Sequence, residues 1–294
     1  MNNSHFFIIF LSLLSLGANS AIRELETTRL QSTAGAGVAS VLVNEASFLN
    51  PASIVFVPTS AFYYQQGSSR LNNESEQRSG EFSDGTNEVY LLSDSSGQLK
   101  GTFSYQRQAE NQYKRLRFTS SLAANYGKRS SLGLLYRYTT DEDIRANDEK
   151  KYHQVVLGFM HILSEELSIG ATLVDPFLSN KEDARATVGM QYNLISNLVF
   201  VLDYGVNFND DPNKNSVTKG ALQINFFKDL FLRGGRFHDN ITGLAGNAWG
   251  ISWIGPRLAF EYAVKTSEVT QEKSDYLYED EKIVESSLSV AVIF

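Results

Sequence analysis

The chain has 294 residues, with 26 Lys and Arg against 33 Asp and Glu and a net charge of −7. That acidic balance argues against nucleic acid as a partner, and the absence of cysteine excludes disulfides and thiol chemistry. Proline is scarce, at 5 residues, whereas Gly, Tyr and Phe number 21, 14 and 19 and mean hydropathy is −0.22, a balance that suits long strands with only alternate residues in an apolar medium.

Residues 6–16, Phe-Phe-Ile-Ile-Phe-Leu-Ser-Leu-Leu-Ser-Leu, form an apolar run too short to span a bilayer as a helix. Gly17, Ala18, Ser20 and Ala21 follow. This is the layout of a secretory signal peptide over residues 1–21, cut after Ser20 or Ala21. Only His5, and no Lys or Arg, precedes the run; no Cys follows it, so it is not a lipoprotein signal. No later stretch of 18 or more residues is apolar, so the chain is expected to be Sec-exported and to cross a membrane only with strands.

Residues 22–57 do not alternate. Ser32-Thr-Ala-Gly-Ala-Gly-Val-Ala-Ser40 is small and Gly-rich, and Asn44-Glu-Ala-Ser-Phe-Leu-Asn-Pro-Ala-Ser53 reads as a short helix or turn stopped at Asn50-Pro51. Val38, Val41, Leu42, Val43, Phe48, Leu49, Ile54, Val55 and Phe56 are too apolar for a solvated leader. The segment is expected to plug the barrel that follows it.

From Pro58 to Phe294, fourteen segments of about ten residues alternate with turn-like stretches. They are 58–67, 87–93, 98–108, 114–127, 130–140, 151–163, 166–176, 183–194, 197–208, 217–227, 229–237, 243–254, 256–266 and 283–294. In the ninth, Leu198, Phe200, Leu202, Tyr204 and Val206 oppose Asp203, Gly205 and Asn207; in the thirteenth, Leu258, Phe260, Tyr262 and Val264 oppose Ala259, Glu261, Ala263 and Lys265. Connections after even-numbered segments are short, among them Gly127-Lys128-Arg129, Ser164-Glu165 and Gly255. Those after odd-numbered segments, 68–86, 109–113, 141–150, 177–182, 209–216, 238–242 and 267–282, are longer and charged. Outer-membrane barrels alternate short periplasmic turns with long outer loops in this way. The last segment ends Leu288-Ser-Val-Ala-Val-Ile-Phe294, apolar at every second residue, and its final Phe resembles the signal read by the bacterial barrel-assembly machinery. The expected fold is all-β: a transmembrane antiparallel β-barrel of fourteen strands over 58–294, in the bacterial outer membrane, with the hatch 22–57 in its lumen. Lipid and lipopolysaccharide are the expected surroundings.

The sequence Gly35-Ala-Gly-Val-Ala-Ser40, then Glu45-Ala-Ser47, then Asn50-Pro-Ala-Ser53 resembles the N-terminal region of the outer-membrane long-chain fatty acid transporter family. This FadL-like family includes toluene-type hydrocarbon channels and the shuttle barrels of type IX secretion. The motif match covers about twenty residues, 34–53. The resemblance implies fourteen strands, a lumenal hatch, and carriage of hydrophobic molecules through the hatch and a side opening in the wall. The chain is shorter than typical fatty acid transporters and lacks their long helical outer loops.

Inward parity assigns Arg115, Arg117, Arg137, Arg185, Asp203, Glu261 and Lys265 to the lumen. They suit either an ion-pair lattice bordering a ligand path, with Arg matched to a carboxylate, or pairing that anchors the hatch; the second is favoured. Leu135, Val174, Val199 and Val201 also face inward, toward a hydrophobic ligand or toward Phe48, Leu49 and Phe56. Phe48, Leu49, Asn50, Pro51 and Ala52 complete the ligand and hatch candidates. No catalytic constellation emerges: His238-Asp239, the only adjacent His–acid pair, falls in a predicted outer loop, and His153 and His161 lie apart on the sixth segment. Asn209, Asp210, Asp211, Asn213 and Asn215 lack the Gly and final Glu of a calcium loop and read as a solvated turn. Tyr278-Glu-Asp-Glu281 reads as a solvated acidic loop. No enzyme activity, metal or cofactor is expected. Two functions fit: passage of fatty-acid-like or hydrocarbon molecules, or a non-transporting barrel acting as a binding, scaffold or secretion-shuttle protein.

Overall fold

The structure is a computed structural model that describes residues 23–41, 44–72, 84–110, 113–144, 146–212, 214–270 and 282–294. The expected signal peptide and the acidic loop 278–281 lie outside the described residues. Fourteen strands, β1 to β14, span Ala61–Asn72, Asp84–Asp94, Leu99–Glu110, Tyr113–Asn125, Ser130–Asp143, Asp148–Ile162, Leu167–Val174, Arg185–Ile195, Leu198–Val206, Ser216–Phe227, Leu230–Asp239, Leu244–Ile254, Leu258–Val269 and Lys282–Ile293. Each pairs antiparallel with its chain neighbours, and β1 closes on β14 from Ala61↔Ile293 to Asn72↔Lys282. Ser60 and Phe294 exchange backbone hydrogen bonds of 3.0 and 3.1 Å below that register. A closed sheet has no edge, so its backbone groups are satisfied internally, as hydrocarbon demands. No described helix is long and apolar enough to cross a membrane.

Successive side chains point to opposite faces of the wall. Phe62, Leu92, Phe103, Leu122, Leu134 and Leu288 face out and are exposed, while Tyr63, Leu91, Ser104, Ser121, Leu135 and Ser289 between them are buried. Tyr64, Tyr90, Tyr105 and Phe118 stand side by side on β1 to β4, with ring centroids 5.1, 6.3 and 5.1 Å apart. Trp249–Tyr262 and Trp253–Phe260 pair on β12 and β13. Exposed aromatic rows of this kind are characteristic of the outer face of membrane barrels.

The outer ends of several strands depart from expectation. β5 and β6 keep Asp141↔Lys150 and Glu142↔Glu149 in register, so 141–150 is mostly the tip of a hairpin. β3 runs to Glu110 and β4 starts at Tyr113, so Ala109, Glu110 and Tyr113 of the expected loop are strand, and 111–112 lie outside the described residues. β1 likewise continues through Asn72. Beyond the lipid the ladder persists in water, where polar side chains are at no disadvantage; composition there marks the bilayer boundary and not the strand end. His238 and Asp239 belong to β11 and not to a loop. Asp239 accepts hydrogen bonds from Ile241 N and Thr242 N at 2.8 and 3.2 Å, which is a turn cap and not a catalytic pairing.

The described part of residues 23–57 lies inside the barrel. It contains a helix α1, Thr28–Ser32, and two 3₁₀ helices, Asn44–Ser47 and Pro51–Phe56. Leu25, Leu30 and Phe48 pack on Tyr63, Val89, Leu91, Ala259 and Ala291 of the wall. Each such fully buried apolar side chain stabilises by roughly 1.5–3 kcal/mol.

Candidate functional site

The hatch descends through the lumen from the outer end. Arg23 meets Glu110 at 2.5 Å and Glu285 at 3.5 Å, near the outer ends of β3 and β14. Thr27 caps α1, its side chain accepting from Leu30 N at 3.2 Å. The chain then turns through Gly35, whose φ of +81° favours glycine. Asp203 on β9 accepts Gly37 N and Val38 N at 2.7 and 3.1 Å. At the periplasmic end, Lys100 Nζ donates to Val55 O and Val57 O, both at 2.8 Å.

Asn50 is the hub of the lower half. Its side-chain amide donates to Val38 O at 2.7 Å and to Phe159 O of β6 at 3.1 Å, while its side-chain oxygen accepts Ala52 N at 3.1 Å. Asn50-Pro51 therefore does not simply stop a helix. It ends one turn and opens the 3₁₀ helix Pro51–Phe56, with proline at the position where a missing N–H costs nothing. Ala52 lies against the wall at Gly133, and Ser131 Oγ donates to Ala52 O at 2.8 Å. Gly158 receives Asn50 and Pro51, and Gly170 receives Val38 and Ala39; a Cβ on any of these three glycines would overlap the hatch.

Charged residues tie the upper half. Glu24 sits between Arg117 at 2.6 Å and Arg137 at 3.3 Å. Burial pushes its carboxyl up, but Arg117, Arg137 and Arg115 outweigh burial and hold it at about 2. Arg137 also donates to Phe48 O at 2.8 Å. Glu26 meets Lys265 at 2.8 Å and Lys219 at 3.8 Å on the opposite wall. Arg29 reaches Glu261 at 2.9 Å, with Arg233 3.8 Å from the same carboxylate. Arg115 instead forms a two-pronged pair with Asp141 at 2.7 and 2.8 Å, within the wall. Thus Arg117, Arg137, Asp203, Glu261 and Lys265 bond the hatch directly, whereas Arg115 bonds Asp141 and acts on Glu24 only through its charge.

A cavity of about 120 Å³ remains between hatch and wall. Leu30, Val38, Phe48, Leu49, Val174 and Val217 form its apolar side, and Glu24, Glu26, Arg137, Asp183, Arg185, Asp203 and Lys219 its charged side. Arg185 makes no hydrogen bond or ion pair with another described residue. Arg137 Nε and Asp203 Oδ1 are buried without a hydrogen-bond partner. Val201 packs with Ala36 and Ala221, and Val199 against them. Leu135 is buried on the inner face of β5. Among the described residues, no cluster of His, Asp and Glu could hold a metal ion.

Sequence reasoning missed Glu24, Glu26 and Arg29 as the partners of the wall charges. It also missed Lys219 and Arg233, which inward parity on their strands would have found.

No protein-family model matches the sequence, and no curated protein matches it. In three dimensions the chain is similar to the monoaromatic hydrocarbon channel CymD, with a TM-score of 0.70 at 10% identity over 90% of this chain and 96% of that one. It is similar to the Pseudomonas putida toluene transporter TodX (TM-score 0.66, 9% identity, 92% and 98% covered) and to a Pseudomonas aeruginosa FadL homologue (0.61, 10%, 90% and 98%). At such identities the likeness is one of fold: the chain has the fold of FadL-type outer-membrane hydrocarbon channels.

Proposed function

We propose that the protein is an outer-membrane barrel that passes small hydrophobic molecules through a hatch-filled lumen. The observation that carries this reading is the cavity under Phe48 and Leu49, which is walled by apolar side chains on one side. A cavity of roughly 150 Å³ binds benzene; at about 120 Å³ this one is slightly smaller, so a single ring needs a small shift of the lining and a long acyl chain a large one. The names of the structural neighbours, a monoaromatic hydrocarbon channel and a toluene transporter, support the same substrate class. A fatty-acid-like substrate would need part of the hatch to move.

The alternative is a non-transporting barrel that serves as a binding, scaffold or secretion-shuttle protein. The ties that hold the hatch to both walls, from Glu24, Glu26 and Arg29, favour it. Uptake separates the two readings. Cells lacking their own transporters, with this protein confirmed in the outer membrane, should take up toluene faster than vector controls. They should lose that gain, or change it, when residues 34–53 are removed. Vector-level uptake of toluene and of fatty acids of several lengths would sink the transport reading and leave the scaffold in its place.

A further inference from the structure

The outer face of β10 to β12 carries a patch that internal packing does not explain. Gly220 and Gly234 point outward, in register with Leu202, Leu222 and Trp249, all exposed. Neither has a positive φ. A Cβ at Gly220 would meet nothing nearer than Leu202 Cδ1 at 3.8 Å, and one at Gly234 nothing nearer than Ala248 O at 3.8 Å. Both positions have room for a side chain, unlike Gly133 or Gly158 inside the barrel. Glycine weakens a strand interior, so two vacant outward positions on neighbouring strands point to something that lies on them.

Arg236 borders the gap at Gly220, standing opposite Gly220 and Asn247 and two residues above Gly234. It is exposed and makes no hydrogen bond or ion pair with another described residue. It lies three residues inside the end of β11 at Asp239, roughly 10 Å along the strand, where the exposed outward side chains change from Leu222, Leu232 and Trp249 to Thr218, His238 and Asn247. His238 follows on the same face, opposite Thr218. Glu268, on the neighbouring face of β13, is already held by Lys282 at 3.2 Å. A guanidinium at such an apolar-to-polar boundary can pair with an anionic group held beside it.

We propose that this patch binds a phosphorylated glycolipid of the outer leaflet, of lipid A chemistry. Its phosphate lies on Arg236, with His238, Thr218 and Asn247 as further hydrogen-bond partners. One acyl chain lies in the diagonal groove formed by the gap at Gly220, between Leu202 and Arg236, and the gap at Gly234, between Leu222 and Trp249. Arginine presents a planar fork that matches phosphate oxygens. A second copy of the chain fits poorly, because a two-fold contact here would set Arg236 and His238 against their own images.

The test uses the folded, full barrel in neutral detergent, titrated with bisphosphoryl lipid A, with its dephosphorylated form and with phosphatidylglycerol, bound lipid being counted by native mass spectrometry. Wild type is expected to bind bisphosphoryl lipid A at least about tenfold more tightly than either other lipid. Arg236→Gln should lose about that factor. Gly234→Leu, which keeps the charge and fills the groove, should lose a comparable one. Neither substitution touches the interior, and heat-modifiable migration on gels checks that both barrels are folded. Equal binding of bisphosphoryl lipid A by wild type and Arg236→Gln overturns the proposal. So does equal wild-type binding of the phosphorylated and dephosphorylated lipids, or a wild-type dimer that Gly234→Leu dissociates.

Discussion

Replacing Asn50 by alanine removes three hydrogen bonds at one stroke: to Val38 O at 2.7 Å, to Phe159 O at 3.1 Å and from Ala52 N at 3.1 Å. The side chain is 1% exposed, so water does not replace them in the closed state. At about 1 kcal/mol net for each bond, the hatch should lose about 3 kcal/mol of local stability against unfolding, two bonds being internal to it and one, to Phe159 O, tying it to the wall. That is about two orders of magnitude in its open population. The barrel itself should not notice, because its strands are bonded to each other and the hatch opens as a local unit. Amide hydrogen exchange measures this directly. The amides of Gly37, Ala52 and Val57 should exchange about a hundredfold faster in Asn50→Ala, and those of β4 and β5 unchanged. If hatch amides exchanged within about threefold of wild type, the assignment of Asn50 as the hub would be wrong.

Other outcomes follow from the same contacts. Gly133→Val would drive a side chain into the backbone at Ala52, so it should push Pro51–Phe56 off the wall and raise conductance in planar bilayers without loss of heat-modifiable migration; unchanged conductance counts against the contact. Glu24 has a native pKa of about 2, below its ordinary 4.5, so its contribution is full above about pH 5 and is lost as pH falls toward 2. Exchange at Leu25 should accelerate over that window in wild type, and Glu24→Gln should lack the acid dependence. Deleting Phe294 removes the exchange with Ser60 and should leave unassembled protein in the periplasm; normal outer-membrane levels would refute that role. A tag at Asn147 should be reached by antibody on intact cells and a tag at Lys228 should not, and the reverse would invert the topology.

The barrel was legible because its signal is local. Residues such as Leu198, Phe200 and Leu202 repeat at the period of a strand, and each strand pairs with the next along the chain. Strand ends were not legible where Asp141 or Lys150 continue a ladder in water, since nothing in their composition distinguishes a hairpin tip from a loop. The inward charges Arg117, Arg137, Asp203 and Glu261 could be read from parity. Their partners could not: Arg29 and Glu261 are 232 positions apart, and the hatch has no period from which to read a direction. Asn50-Pro51-Ala52 was visible as a motif, but its work depends on Phe159 and Gly133, which only the closed barrel brings to it.

The route of the hatch constrains how the molecule can be made. Arg23 lies at the outer mouth, Lys100 holds Val55 and Val57 at the periplasmic end, and β1 then climbs back outward. The first described residues have therefore crossed the thickness of the wall inside a cylinder that their own chain later completes. A lumen bonded so densely to its occupant leaves no room for threading. The curl of sheet must gather the hatch while still open, and the pairing of β1 with β14, the two strands most distant along the chain, must come last. In the closed barrel Glu24, Glu26 and Arg29 join β4 and β5 to β10 and β13, strands that do not pair with them in the wall, through one shared segment.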